Sequence, residues 1–139
     1  MNSGTVGILI FAIVLIIGGA ILLAVVTRSQ KQLNKQEYRT KWLKVESSLK
    51  KTEESSYHLA ILNADKLLDA ALKELGYRGQ TMGDRMKSAK VAFSNNNSLW
   101  SAHKLRNRIA HETDVKIGYT ATRRALASFK QGLKDLGAI

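Results

Sequence analysis

The feature that most constrains this chain is an unbroken apolar run over residues 6–26, Val-Gly-Ile-Leu-Ile-Phe-Ala-Ile-Val-Leu-Ile-Ile-Gly-Gly-Ala-Ile-Leu-Leu-Ala-Val-Val, which contains no charged side chain. A helix of that length, rising about 1.5 Å per residue, crosses the roughly 30 Å hydrocarbon layer of a bilayer. A cleaved leader would show a basic start, a shorter apolar core and a small-x-small site. Here no Lys or Arg precedes the run and Thr27-Arg28-Ser29-Gln30-Lys31 follows it, so the expectation is an uncleaved transmembrane helix over residues 6–27. Arg28, Lys31, Lys35, Arg39, Lys41 and Lys44 all lie just beyond the span. The positive-inside rule therefore puts residues 1–5 outside and everything after the helix in the cytoplasm, at a plasma or inner membrane. The Ala20-x-x-x-Ala24 spacing is of the kind that seats a partner helix, although small residues are common in spans.

The charge that follows is uneven. Residues 28–52 carry eight Lys or Arg against two Glu, whereas residues 53–139 carry fourteen against nine acidic residues, out of a net +11 for the chain. The basic stretch suits topology and attraction to anionic headgroups, with Arg28, Lys31 and Lys35 as the candidate membrane-surface contacts. The same excess, with a pI near 10.1, is also the footprint of a protein that attracts RNA, and charge alone does not separate the two. With no cysteine, disulfides, thiolate metal sites and cysteine nucleophiles are excluded. With no proline, the prior tilts to helices joined by glycine and asparagine turns.

A basic helical stem is expected over residues 28–56 and a helical domain over 57–139. No strong breaker occurs between residues 36 and 75, so a long helix is expected to leave the membrane and enter the domain, interrupted near 52–57. Ile61, Ala64, Leu68, Ala71, Leu72 and Leu75 recur at three- and four-residue steps and form one apolar stripe, with Asp65 inside it. Gly76-Tyr-Arg-Gly79 stops this helix, and Thr81-Met-Gly-Asp84 has the spacing of a capping box that opens a second. Asn95-Asn-Asn-Ser98 is a turn whose last residue can cap a third helix over residues 99–112. Thr120 can cap a fourth, with Ala125, Leu126, Phe129, Leu133 and Leu136 as its stripe and Gly137 at its end. The fold class expected is all-α, a single N-terminal transmembrane helix followed by an antiparallel four-helix bundle.

At 100° per residue, the third helix gathers Leu99, Ala102, Leu105, Ile109 and Ala110 around Arg106, so the arginine sits among apolar neighbours. His103 and Asn107 fall on the same arc, and His111 lies one turn beyond Asn107. A buried charge needs a partner, so Arg106 should either meet Asp65 or Asp69 of the first helix or face a groove open to solvent or to a second subunit.

Arg106-Asn107-Arg108-Ile109-Ala110-His111 resembles the Arg-(four to six residues)-His motif of HEPN domains, including the Asn that often follows the Arg. The likeness extends over roughly residues 57–137, through Ala64-Asp-Lys-Leu-Leu-Asp-Ala-Ala-Leu-Lys-Glu-Leu-Gly76, Thr81-Met-Gly-Asp-Arg85 and Leu99-Trp-Ser-Ala-His-Lys-Leu-Arg-Asn-Arg-Ile-Ala-His-Glu112. The resemblance implies a helical domain that dimerises and, in its active members, a metal-independent ribonuclease whose Arg and His converge from two subunits. It makes Arg106, Asn107 and His111 the candidate catalytic residues. Arg106 would hold a phosphate with its fork, His111 would take the proton of a ribose 2′-OH, and Asn107 would orient one of them. His103, Arg108 and Asp65 are the candidate supporting residues. No metal and no cofactor is expected, because the chain has no His-Glu-x-x-His pattern, no phosphate-cradling glycine loop and no dinucleotide fingerprint.

HEPN-like domains also include members that bind without cutting. The alternative is therefore a non-catalytic membrane adaptor or dimerisation module in which Arg106 pairs with Asp65 and the Arg–His pair is structural. The partners expected are a lipid bilayer, RNA, a second copy of the chain, or a protein. His103 reads as a packing or dimer-contact histidine, and Trp100 as a core or interface residue that, if exposed, can stack a base.

Overall fold

The computed structural model describes residues 2–26 and 31–139, whose regular structure is all helical, with no strand among the described residues. Among the described residues there are six α-helices, α1 Ser3–Val26, α2 Lys35–Ser48, α3 Glu54–Glu74, α4 Met82–Ser88, α5 Asn96–His111 and α6 Tyr119–Asp135, with a 3₁₀ turn at Lys90–Ala92. The chain divides into two compact units, Met1–Gln30 and Lys31–Ile139.

The first unit is α1 alone. Its stretch Ser3–Leu23 has a mean hydropathy of 3.1, and none of it is buried within the protein. A single helix with Ile8, Phe11, Ile16 and Leu22 all exposed has no protein core to bury them in. It is long and apolar enough to cross a membrane. Residues 27–30, including the candidate contact Arg28, lie outside the described residues, but residues 31–34 are not helical and Asn34 caps α2, so the helix expected to run from the membrane into the domain is broken before Lys35.

The second unit has its own core. Helix α3 is central and packs against α2, α4, α5 and α6, with α5 also against α6. Ile61, Ala64, Leu68, Ala71 and Leu72 of α3 are all fully buried, as the stripe in the sequence leads one to expect. Where a stem was expected over 28–56, the structure has α2 built into this core. Tyr38, Trp42 and Val45 lie on one face at four- and three-residue steps and are buried, together with Leu33. The basic residues occupy the other faces of α2, and it is they that dominate the sequence there. The compact unit thus begins at Lys31 and not near residue 57.

The break between α2 and α3 falls at residues 49–53, a few residues before the expected interruption. Ser56 knots it, its hydroxyl donating to the Glu53 carbonyl at 2.6 Å and accepting from the Lys50 amide at 3.0 Å. Helix α3 ends in a Schellman turn, with Gly76 at φ 81° and the Tyr77 amide bonded to the Leu72 carbonyl at 3.0 Å. Thr81 and Asp84 form the reciprocal capping box at the start of α4. Helix α5 starts earlier than expected. Asn95, not Ser98, is its cap, and the Asn95 carboxamide oxygen accepts the Ser98 amide at 3.0 Å. At α6 the expected cap Thr120 is replaced by Gly118, which has no side chain to cap with, and Thr122 bonds back to the Gly118 carbonyl at 3.1 Å.

Candidate functional site

The site grows from two helices. On α3, Asp65 sits among the apolar residues that face the core, and its side chain is 4% exposed. A bare carboxylate there would be costly, and α5 answers it with three polar side chains on one flank. His103 Nδ1 lies 2.7 Å from Asp65 Oδ1, and Arg106 Nε lies 3.1 Å from Asp65 Oδ2. Asn107 closes the ring. Its carboxamide oxygen accepts from Arg106 Nη1 at 3.0 Å, and its Nδ2 lies 3.2 Å from His103 Nε2.

This ring fixes its own protons. Arginine only donates, so Asn107 must turn its oxygen to Arg106 and its amide group to His103. His103 Nε2 then has to accept, and the ring proton sits on Nδ1, donated to Asp65. His103 is therefore locked as the Nδ1–H tautomer, buried, with Trp100 edge-on at 5.8 Å between ring centres. The Arg106 Nε–H is not aligned on the Asp65 oxygen, so the contact is an ion pair without a hydrogen bond at Nε. The Arg106 side chain remains 32% exposed.

Arg106, Asn107 and His111 border one groove between α3, α4 and α5, with about 890 Å³ of open space. His111 is exposed at the last residue of α5. Asp65 and His103 form part of the groove wall. Arg108 does not line it, and instead pairs with Glu112 one turn on, Nε to Oε2 3.3 Å, out in solvent. Lys31 and Lys35 are exposed at the start of the second unit.

Sequence reasoning missed the second ion pair of the groove. Arg85 on α4 is buried and forks onto Asp69, Nε to Oδ1 2.7 Å and Nη2 to Oδ2 3.0 Å, while Nη1 donates to the Gly79 carbonyl at 2.6 Å. Asp69 was a candidate partner for Arg106, and the structure assigns it to Arg85 instead. Burial pushes the Asp69 carboxyl up, but the Arg85 fork and the Lys73 ammonium outweigh burial and hold it below the ordinary carboxylate range. The signal was present: two acids one helical turn apart on a buried face call for two cations. The groove's three acids are thus engaged, Asp65 and Asp69 by arginines and Asp84 by the capping box, while Lys66 and Lys87 stand exposed on its rim.

No family model, curated protein or solved structure matches this chain. The reading of the site therefore rests on its geometry.

Chemically, the groove offers Lys66 and Lys87 on its rim and the part-exposed, Asp65-paired Arg106 in its wall to an anion, with one solvent-accessible imidazole, His111, beside them. The second imidazole, His103, has both nitrogens engaged inside the protein. Of the two, only His111 is placed to exchange a proton with a ligand.

Proposed function

We propose that the chain is a membrane-tethered, HEPN-like antiparallel four-helix bundle that binds RNA in the α3–α4–α5 groove and cleaves it without a metal. The observation that carries this reading is that Arg106 and His111 border one open groove. Arg106 draws a phosphodiester to the wall, and Asn107, held by Arg106 and His103, fixes the guanidinium plane. His111 removes the proton of the ribose 2′-OH. The 2′-oxygen attacks phosphorus, and the 5′-oxygen leaves and is protonated from water in the groove. A positioned base of this kind typically contributes about 10² to 10⁴ in rate. The α1 helix holds the domain at the inner face of a plasma or inner membrane, with the N-terminus outside, and two copies pair through the bundle.

A second reading has its own observation. The Asp65–Arg106 pair and the closed ring are what an arginine with a structural role would show. In that reading the domain is a non-cutting adaptor. Incubating residues 31–139, which contain the whole core, with single-stranded RNA in EDTA separates the two. Cleavage that is lost in His111→Ala supports the nuclease. Cleavage retained in that variant, or none in either protein, leaves the adaptor. Protease accessibility of the full chain in sealed vesicles tests the orientation.

A further inference from the structure

A second groove runs between α2 and α3, about 350 Å³ in volume. Its floor is apolar, made by Val45, Leu67 and Ala70, and Lys41, Lys44 and Lys66 stand around it. No Asp or Glu lines it among the described residues. Lys41 pairs with Glu37 one turn back, a pair half exposed on both sides and therefore weak. Three flexible ammonium groups round an apolar trough form a surface whose complement is an anionic headgroup layer, in which phosphates meet the lysines and the lysine stems cover the apolar floor.

The chain supplies the membrane itself. Helix α1 is long and apolar enough to span, and the chain from Val26 to Lys35 reaches no further than about 30 Å even when fully extended. A tether that short gives the domain a high effective concentration at the bilayer surface, so a weak surface contact is occupied.

We infer that the α2–α3 groove is a docking face for anionic phospholipid headgroups. The inference rests on the reading of α1 as a membrane anchor, but it concerns a different part of the molecule and is tested without α1. It bears on the proposed site as well, because Asn63 and Lys66 line both grooves. Docking through Lys41, Lys44 and Lys66 sets the RNA groove at the edge of the membrane contact.

The test is cosedimentation of residues 31–139 with phosphatidylcholine vesicles, with and without phosphatidylglycerol. Binding is expected only to the vesicles with phosphatidylglycerol and is expected to fall steeply with salt. Lys41→Gln with Lys44→Gln, neither of which lines the RNA groove, should weaken it about thirtyfold, from about 1 kcal/mol per basic residue at the surface. Arg123→Gln with Arg124→Gln removes the same charge from α6, which does not line this groove, and should leave binding within about twofold, since the per-residue gain applies only to groups at the lipid surface. Equal losses in the two double variants would show that net charge binds and not this face. Failure to bind phosphatidylglycerol, or binding of short RNA that competes with Lys41 and Lys44 as the site, would also overturn the inference. Circular dichroism of each variant confirms that it is folded. Retention of the full chain in membranes after alkaline washing reports on the anchor separately, so failure of one reading is distinguishable from failure of the other.

Discussion

Asp65 on α3 accepts the Nδ1 proton of His103 on α5 across 2.7 Å, and that bond anchors a ring of four side chains that ends on Arg106. The two helices are thereby locked in one register at the place where the groove opens. Asp65→Ala leaves His103 Nδ1 without an acceptor and Arg106 without a counter-ion. Arg106 is a third exposed, so water takes up part of the loss, and a destabilisation of about 2 to 3 kcal/mol is expected in urea unfolding of residues 31–139. A loss below about 0.5 kcal/mol would mean that the ring adds little to the fold.

Trp42 decides whether α2 belongs to the domain. It is 3% exposed, packed in the core and covered by Lys130 of α6, whose ammonium lies 5.9 Å from the ring centre and pairs with Glu46 at 2.7 Å. Trp42→Ala should cost about 3 to 5 kcal/mol. A detachable stem would show a loss near zero, read by the same urea midpoint.

Gly79 is the tightest glycine of the fold. Its φ is 156°, and a Cβ there would stand 2.6 Å from both the Arg85 amide nitrogen and Asp84 Cβ. These are atoms of a helix start that cannot move aside cheaply. Gly79→Ala should displace the loop, loosen the Arg85 contact to the Gly79 carbonyl and lower stability by about 2 kcal/mol or more. Thermal melting checks it. Gly76→Ala, where nothing lies within 4 Å and only the positive φ is strained, should cost less, about 1 kcal/mol.

Asp69 gives the fold an acid limit. Its carboxyl titrates lower in the folded protein than the ordinary 3.8, so its contribution is complete above that value and is lost as the pH falls through the depressed folded value. Asp69→Asn should therefore melt well below the wild type at neutral pH, and the difference between the two should shrink progressively as the pH falls past 3.8. A constant difference across that range would show that the Arg85 fork is not what Asp69 contributes.

Much of this was legible in the chain, for physical reasons that differ from place to place. The α3 stripe, the Thr81–Asp84 capping box and the turns at Gly76 and Gly137 are local, and a few neighbouring residues decide them. The role of α2 was harder to read, because the spacing of Tyr38, Trp42 and Val45 is carried by three residues among many charged ones, and only the partner surface on α3 makes it a core face. Whether Asn95 or Ser98 caps α5 depends on one residue of backbone geometry in a turn where both types qualify. The choice between Asp65 and Asp69 for Arg106 was undecidable from α5 alone, since Arg85 on α4 settles it by taking Asp69. Arg106 and His111 were singled out together by the resemblance of residues 106–111 to the HEPN motif, whereas Lys66, Lys87 and Trp100 join the groove only through the packing of α3, α4 and α5.

The division of labour between Arg106 and His111 is the most direct test of the proposed function. RNA affinity and single-turnover cleavage in EDTA are measured side by side for residues 31–139, for His111→Ala and for Arg106→Gln, with folding checked by melting. The expected result is that His111→Ala binds RNA within about threefold of the wild type but loses about 10² or more in cleavage, while Arg106→Gln loses both. Cleavage by His111→Ala at the wild-type rate, or unchanged RNA binding by Arg106→Gln, would contradict it.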